Sequence, residues 1–269
     1  MSAADDERSQ RGSSFGAVAK AYDEHRPDYP RDAIRWALAP AAPDEGAGGL
    51  AGLRVLDLGA GTGKLTAQLV GLRVAVAAVE PDPAMLSELR RRLPSVPALD
   101  GSAESIPLPD GSVRAVLCGQ SMHWFDLERS LPEIARVLVP GGVLAALWNT
   151  DDDRVDWVSG LHAAAEGTAG PTVSALRAQT VAGWLSQASG SAAFGPTEIS
   201  DFPHGFRRTA GSLIAALATH SRLLVMAPGE RERVLGQIRS YVYARPETAG
   251  EFTMPMVTSV LRTVAKARD

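Results

Sequence analysis

Between Leu53 and Trp148, short apolar runs alternate with stretches whose apolar positions recur every three or four residues. Val55–Leu58, Arg73–Val79 and Val113–Gly119 are such runs, a further unit opens at Leu99, and a fifth strand follows Gly142. Near-continuous apolar strands broken by helical segments predict a parallel sheet covered by helices on both faces. One helix is expected over Pro83–Arg92, closed by Arg90-Arg91-Arg92 as a solvated cationic cap that complements the helix dipole. Another begins at Leu131 and ends at Pro140-Gly141-Gly142.

Beyond Asn149 the pattern turns helical, over Val155–Glu166, Ala175–Ser186, Ser212–Ser221 and Gly229–Ala244, with extended runs near Thr197–Phe206 and Glu251–Val264. The two extended runs are expected to pair as an antiparallel hairpin completing a seven-stranded sheet. The helices inserted between its strands, the sixth and seventh, are long enough to roof a site. Upstream, residues 1–14 read as a polar, disordered tail, Phe15–Glu24 as an amphipathic helical cap, Arg31–Leu38 as a second helix and Ala39–Gly52 as a linker. The organisation expected is therefore tail 1–14, cap and linker 15–52, α/β core 53–150, and lid helices with the final hairpin 151–269.

The first strand breaks into Asp57-Leu58-Gly59-Ala60-Gly61-Thr62-Gly63-Lys64, with three glycines in five positions before a helix resumes. Glycines let the backbone turn sharply and approach a ligand, and a helix start adds unpaired N–H donors. The phosphate-gripping loop needs four residues between its glycines and a Ser/Thr after the Lys; here three intervene and Leu65 follows Lys64. The dinucleotide fingerprint needs its third glycine where Lys64 stands, so that reading is weakened and stays open. The second strand ends in Glu80-Pro81-Asp82, and a carboxylate at a strand's carboxyl end can accept hydrogen bonds from both ribose hydroxyls.

The Asp-x-Gly-x-Gly-x-Gly turn resembles the first motif of the class I S-adenosylmethionine (SAM) methyltransferases. Leu99-Asp100-Gly101-Ser102-Ala103-Glu104-Ser105-Ile106-Pro107 resembles that family's adenine loop, and Arg136-Val137-Leu138-Val139-Pro140-Gly141-Gly142 its later helix-to-strand turn. Arg114 departs from the pattern, which usually carries an acid there. The resemblance implies a Rossmann-like mixed sheet and SAM as cofactor. Asp57, Gly59, Ala60, Gly61, Thr62 and Gly63 would then cradle the methionine part. Glu80 and Pro81 would meet the ribose, Ser102, Ala103 and Glu104 the adenine, and Gln120 the site's edge.

Gln120-Ser121-Met122-His123-Trp124-Phe125-Asp126 follows the fourth strand. It resembles the His-Trp or Gln-Trp signature of small-molecule carboxyl methyltransferases of the trans-aconitate, juvenile-hormone-acid and plant salicylate types. By that resemblance Trp124 would hold a substrate carboxylate, with His123 beside it. Tyr22-Asp23-Glu24-His25-Arg26-Pro27-Asp28-Tyr29-Pro30 resembles a cap of the trans-aconitate-type branch. Tyr22 offers a hydroxyl, and Arg26 a fork that can clamp a carboxylate of cofactor or substrate.

The 269 residues are 45% hydrophobic and 22% charged with net charge −4, a composition that fits a soluble cytoplasmic enzyme of one large domain with an appended part. A lone cysteine, Cys118, falls in a strand and is expected to be core. The scattered histidines form no metal-spaced cluster, no apolar leader or spanning run appears, and the acidic balance argues against a nucleic-acid partner. The function expected is methyl transfer to a small molecule, a carboxylic acid or other secondary metabolite. An NAD(P)-dependent oxidoreductase on a similar sheet and a non-catalytic SAM-binding regulator remain as alternatives. A carboxylate acceptor is favoured because it is already ionised at neutral pH and needs no base.

Overall fold

The computed structural model describes residues 27–42, 49–166, 192–218, 223 and 226–267. The cap helix expected over 15–24 and the helix expected over 175–186 lie outside these residues. Seven strands form one sheet: β1 (Arg54–Leu58), β2 (Ala75–Glu80), β3 (Ala98–Asp100), β4 (Val113–Gly119), β5 (Leu138–Asp151), β6 (Glu198–Thr209) and β7 (Glu251–Val264). Their order is β3-β2-β1-β4-β5-β7-β6. β1 to β5 run parallel, and β7 runs antiparallel to both its neighbours. This is the Rossmann-like mixed sheet that the resemblance implies, with the parallel core and final hairpin that the pattern predicts. The sheet of the dinucleotide enzymes places its sixth strand directly beside the fifth. Here a reversed strand stands between them.

Alternation along the strands divides the core in two. Val55, Leu117, Ala145 and Leu147 pack against α1 (Arg31–Leu38), α2 (Lys64–Gly71) and α3 (Pro83–Arg92). Leu56, Val116, Leu144 and Ala146 face the other way, against α4 (Leu127–Val137). Cys118 belongs to this second layer and is buried, as expected; burial pushes its thiol pKa up.

β6 and β7 remain paired as far as Thr209↔Glu251, beyond the point where β5 ends opposite Met256. The hairpin therefore projects past the carboxyl edge of the parallel strands. A third apolar cluster forms on that projection, where Met254 and Met256 meet α5 (Asp156–Glu166), α6 (Ala210–Ala218) and α7 (Pro228–Tyr243). α6 and α7 are the insertion expected between the last two strands.

Several boundaries differ from expectation. α4 starts at Leu127, not Leu131, because Asp126 caps it by accepting the Glu128 N–H at 3.1 Å, and Pro132 lies inside the helix. The helix ends at Val137, and Pro140-Gly141-Gly142 belongs to β5 as a bulge: Leu138 pairs with Val113, and pairing resumes at Val143↔Ala115. α6 starts at Ala210 rather than Ser212, and its expected end at Ser221 lies outside the described residues. Ala39–Ala41, expected as linker, is a 3-10 turn. Arg114 donates to the Ala41 carbonyl at 3.0 Å, a use for the residue that broke the family pattern. The arginines closing α3 do more than face solvent, since Arg90 grips the Ala98 carbonyl and Arg92 donates to the Thr62 carbonyl at 3.2 Å. Among the described residues no helix is long and apolar enough to cross a membrane.

Candidate functional site

The strand order reverses between β1 and β4, so the loops leaving these two strands part to opposite sides and open a crevice at the carboxyl edge. The glycine turn forms one wall. Gly59 and Ala60 donate their N–H groups to the Val79 carbonyl at 2.9 and 3.1 Å, fixing the turn to β2. Ser121 fixes it to β4, its hydroxyl donating to the Leu58 carbonyl at 2.7 Å. A Cβ on Gly59 would stand 2.6 Å from Ser121 Cβ, so only glycine permits this approach. Gly61, at φ 57°, differs: among the described residues a Cβ there would find only Met85 Sδ within reach, at 3.8 Å. Its open face borders the crevice. Gly63 then caps α2 at φ 89°, with no side-chain hydrogen bond at the cap.

Glu80, at the end of β2, turns towards this wall. Its Oε2 accepts the Gly61 N–H at 2.8 Å and its Oε1 the Asp82 N–H at 2.9 Å. The Asp82 bond is buried and the Gly61 bond only partly so. Burial raises the Glu80 pKa, and the two N–H donors oppose that rise. Asp82 also caps α3, its Oδ1 accepting from Ala84 and Met85 at 2.9 Å, and Pro83 supplies the first helical position. Asp57 is fully buried beneath the turn; Oδ2 accepts from Thr66 Oγ1 at 2.6 Å, and Oδ1 has no hydrogen-bond partner among the described residues. Burial, opposed by the Thr66 bond and aided by the Glu80 charge, pushes its pKa up to about 7.

The loop between β3 and β4 makes the next wall. Ser102 and Ser105 exchange backbone hydrogen bonds at 3.3 Å, and Ala103 is buried. Glu104 Oε1 accepts the Asp126 N–H at 2.9 Å, linking this loop to the one after β4. Pro81 is exposed on the rim.

At the end of β4, Gln120 adopts a left-handed φ of 57°, rare for a side chain of its size. Its amide donates to the Asn149 carbonyl at 2.8 Å. Met122–Trp124 form a 3-10 turn; His123 is exposed, Trp124 half-buried, and their rings lie 4.8 Å apart. The structure thus brings together the glycine turn, Glu80, the Ser102–Glu104 loop, Gln120, His123 and Trp124 along one edge. Tyr22 and Arg26 lie outside the described residues.

Of three further features of the edge, those at Asn149 and His162 had no sequence signal, whereas Asp28 and Tyr29 belong to the run 22–30 that resembles the trans-aconitate-type cap. Asn149 Nδ2 donates to the carbonyls of Pro27 and Asp28 at 3.3 Å, while its Oδ1 accepts from Thr258, which also meets His204. Asp28 pairs with Lys64 at 3.3 Å, and Tyr29 is buried against Leu65 and Gly119. The chain entering α1 therefore lies across the ends of β4 and β5. His162 of α5 bonds Asp151 at 3.0 Å, tying the lid to the end of β5. A cleft of about 260 Å³ bordered by Pro140, Ala193 and Lys266 opens at the opposite end of the β5 ladder, far from these groups.

Residues 56–146 match the family profile described as "Methyltransferase domain". The chain is 53% identical over 145 residues to an uncharacterized methyltransferase of Mycobacterium tuberculosis, covering 54% of this chain and 56% of that protein. It is 34% identical over 148 residues to the malonyl-[acyl-carrier protein] O-methyltransferase of Methylococcus capsulatus, covering 50% and 49% of the two. The chain thus spans about half the length of the curated relatives it matches. A solved structure from Anaeromyxobacter dehalogenans, provisionally titled a type II methyltransferase, covers more. It overlays with a TM-score of 0.65 and 27% identity over 90% of this chain and 97% of that one. Residues 56–146 match a methyltransferase domain, and the seven-stranded mixed sheet they help to build is Rossmann-like.

Proposed function

We propose that the chain is a SAM-dependent methyltransferase that moves a methyl group to a small molecule in the cytoplasm, with a carboxylate oxygen as acceptor. One observation carries the cofactor reading: Glu80 bends over the Gly61 N–H at the point where strand order reverses. Each oxygen accepts one N–H, and a carboxylate has about four acceptor positions, so two remain for ribose hydroxyls. Gly61 offers the opening that a close ligand needs, and the uncapped start of α2 suits the polar end of a methionine moiety. Ser102, Ala103 and Glu104 are the residues we assign to the adenine. The donor set fits a nucleoside bearing a polar tail.

Bound there, the cofactor would supply an electrophilic sulfonium methyl whose leaving group is a neutral thioether. The protein's share is orientation. Holding the acceptor in line at about 3 Å makes the encounter nearly unimolecular, and effective molarities of roughly 10⁵ M or more are attainable. A carboxylate with a pKa of about 4 arrives ionised, so no base has to be placed. Trp124 and His123, on the turn after β4, are the groups we assign to that acceptor. The relative named for O-methylation of malonyl-[acyl-carrier protein] supports the same acceptor chemistry, because a malonyl group presents a free carboxylate. We assign the trans-aconitate-type branch on the sequence likeness of residues 22–30 and 120–126, with Tyr22 and Arg26 as candidate ligands of cofactor or substrate.

Titration calorimetry with SAM, S-adenosylhomocysteine and NAD tests the cofactor. The expected result is micromolar binding of the first two, abolished by Gly61→Arg; binding of NAD alone would overturn the reading. A panel of carboxylic acids followed by mass spectrometry tests the acceptor. Methyl ester is the expected product, and turnover only on nitrogen or carbon nucleophiles would remove the carboxylate assignment.

A further inference from the structure

We infer that Arg136, together with Glu133, is a positioning residue that fixes the Ser102–Ile106 loop and so sets how strictly the site discriminates the purine base. The inference rests on the cofactor reading above. The loop has few hydrogen bonds of its own: the Ser102–Ser105 pair at 3.3 Å, Glu104 N–H to Ser102 Oγ at 3.3 Å, and Leu108 N–H to the Ile106 carbonyl at 2.8 Å. Its shape is held largely from α4. Arg136 Nη2 donates to the Ile106 carbonyl at 2.9 Å, and Nη1 donates to the Leu108 carbonyl at 2.9 Å and to Asp110 Oδ1 at 2.7 Å. Glu133 Oε2 accepts the Ile106 N–H at 3.1 Å.

Both backbone groups of Ile106 thus end on one ion pair. That pair is itself locked, Arg136 Nε and Nη2 donating to the two Glu133 oxygens at 2.8 and 2.9 Å. The arrangement holds Glu133 below the usual carboxylate range. The Ile106 and Ala103 side chains anchor the inner face of the loop in the core shared with α4. A planar guanidinium can satisfy two carbonyls and a carboxylate at fixed angles, which a lysine ammonium cannot. The side chains of the pair are 30% and 25% exposed, a setting in which an ion pair adds little to stability. What the hydrogen bonds converge on is a loop, not a second helix, and this loop is the one that would border the base. Arg136 lies on the far side of it and acts through its backbone.

The test compares S-adenosylhomocysteine with S-inosylhomocysteine, in which the 6-amino group is replaced by oxygen and the hydrogen-bonding edge of the base is reversed. Calorimetry is run on the full chain and on Arg136→Lys and Glu133→Gln, with circular dichroism and melting curves alongside. The unaltered chain is expected to prefer the adenine ligand. Both variants should lose about tenfold in affinity for it, the size of one or two hydrogen bonds, and much less for the inosine ligand, so that the preference shrinks. Equal weakening of both ligands with a lowered melting temperature would mean that the pair only stabilises the fold, and would overturn the inference. Lack of preference in the unaltered chain would overturn it too, while leaving the cofactor reading intact. Failure of the unaltered chain to bind either ligand would defeat both. Glu133→Gln keeps side-chain volume and a carbonyl acceptor, and it carries the test if the lysine variant does not fold.

Discussion

A methyl group added at Gly59 and one added at Gly61 should fail in different ways. Both backbones are left-handed, which costs an alanine about 1–2 kcal/mol. At Gly59 the new Cβ also overlaps Ser121 Cβ at 2.6 Å, adding about 1–3 kcal/mol of crowding. Gly59→Ala should therefore melt clearly lower. Gly61→Ala should melt lower only by the backbone cost, less than Gly59→Ala, yet lose on the order of tenfold or more in SAM affinity, because its methyl would meet the ligand proposed there. Calorimetry of both variants separates the two effects.

Asp57 makes stability depend on pH at the same scale. Its folded pKa of about 7 lies above the unincorporated value of 3.8, so between these values the folded state retains a proton that the unfolded chain has released. Its contribution is greatest below about pH 4, falls as pH rises towards 7 and then levels, a change of at most about 4 kcal/mol. Asp57→Asn should accordingly raise the melting temperature near pH 8 and leave it nearly unchanged near pH 4. A constant difference across that range would refute the buried-acid account. For the acceptor side, Trp124→Phe should raise acceptor KM or lower kcat by about tenfold through loss of one charge-assisted hydrogen bond, with SAM affinity within about twofold of the parent. Unaltered kinetics would remove Trp124 from the site.

Between elements, the contact that matters most for the lid is that of α5 with α7. Tyr241 of α7 donates its hydroxyl to the Trp157 carbonyl at 2.9 Å, and a Cβ on Gly160 would stand 2.1 Å from that oxygen and 2.9 Å from Cζ. A rigid ring cannot yield locally. Gly160→Ala should push Tyr241 out at a cost of about 1–3 kcal/mol. Hydrogen exchange should then quicken in α5 and α7 and stay unchanged in β1 to β4, and acceptor KM should rise. The elements themselves were legible where periodicity and a local cap agreed. Pro83–Arg92, with Asp82 and Pro83 at its head, and the final strand Glu251–Val264 were both read with their observed bounds. α4 starts four residues ahead of the expected Leu131, because the cap is Asp126. Its end was misread because Pro-Gly-Gly can bulge a strand as readily as stop a helix, and only the pairing with β4 decides between them.

For the whole molecule, the proposed site draws on four strand ends, β1, β2, β3 and β4, which lie side by side in the sheet that carries the main core. A ligand there should stabilise the sheet as a unit. At one hundred times its Kd, SAM should add about 2.7 kcal/mol, which for a chain of this size raises the melting temperature by roughly 5–10 °C. NAD should not. A scan with each ligand checks this, and a shift confined to the lid would place binding elsewhere.

The sequence by itself determined what local chemistry determines: the succession of strands and helices, the glycine turn, and the acid that closes β2. These follow from side-chain periodicity, from the absence of Cβ atoms and from one carboxylate at a strand end, all within a few residues of one another. Tertiary structure decided the rest. It put β7, rather than β6, beside β5, buried Asp57 beneath the turn, folded Glu80 onto Gly61, set Asn149 against the chain entering α1, and closed Arg136 on Ile106. Each of those facts joins residues distant in the chain, where burial and hydrogen bonding depend on which surfaces meet, and no local pattern specifies that.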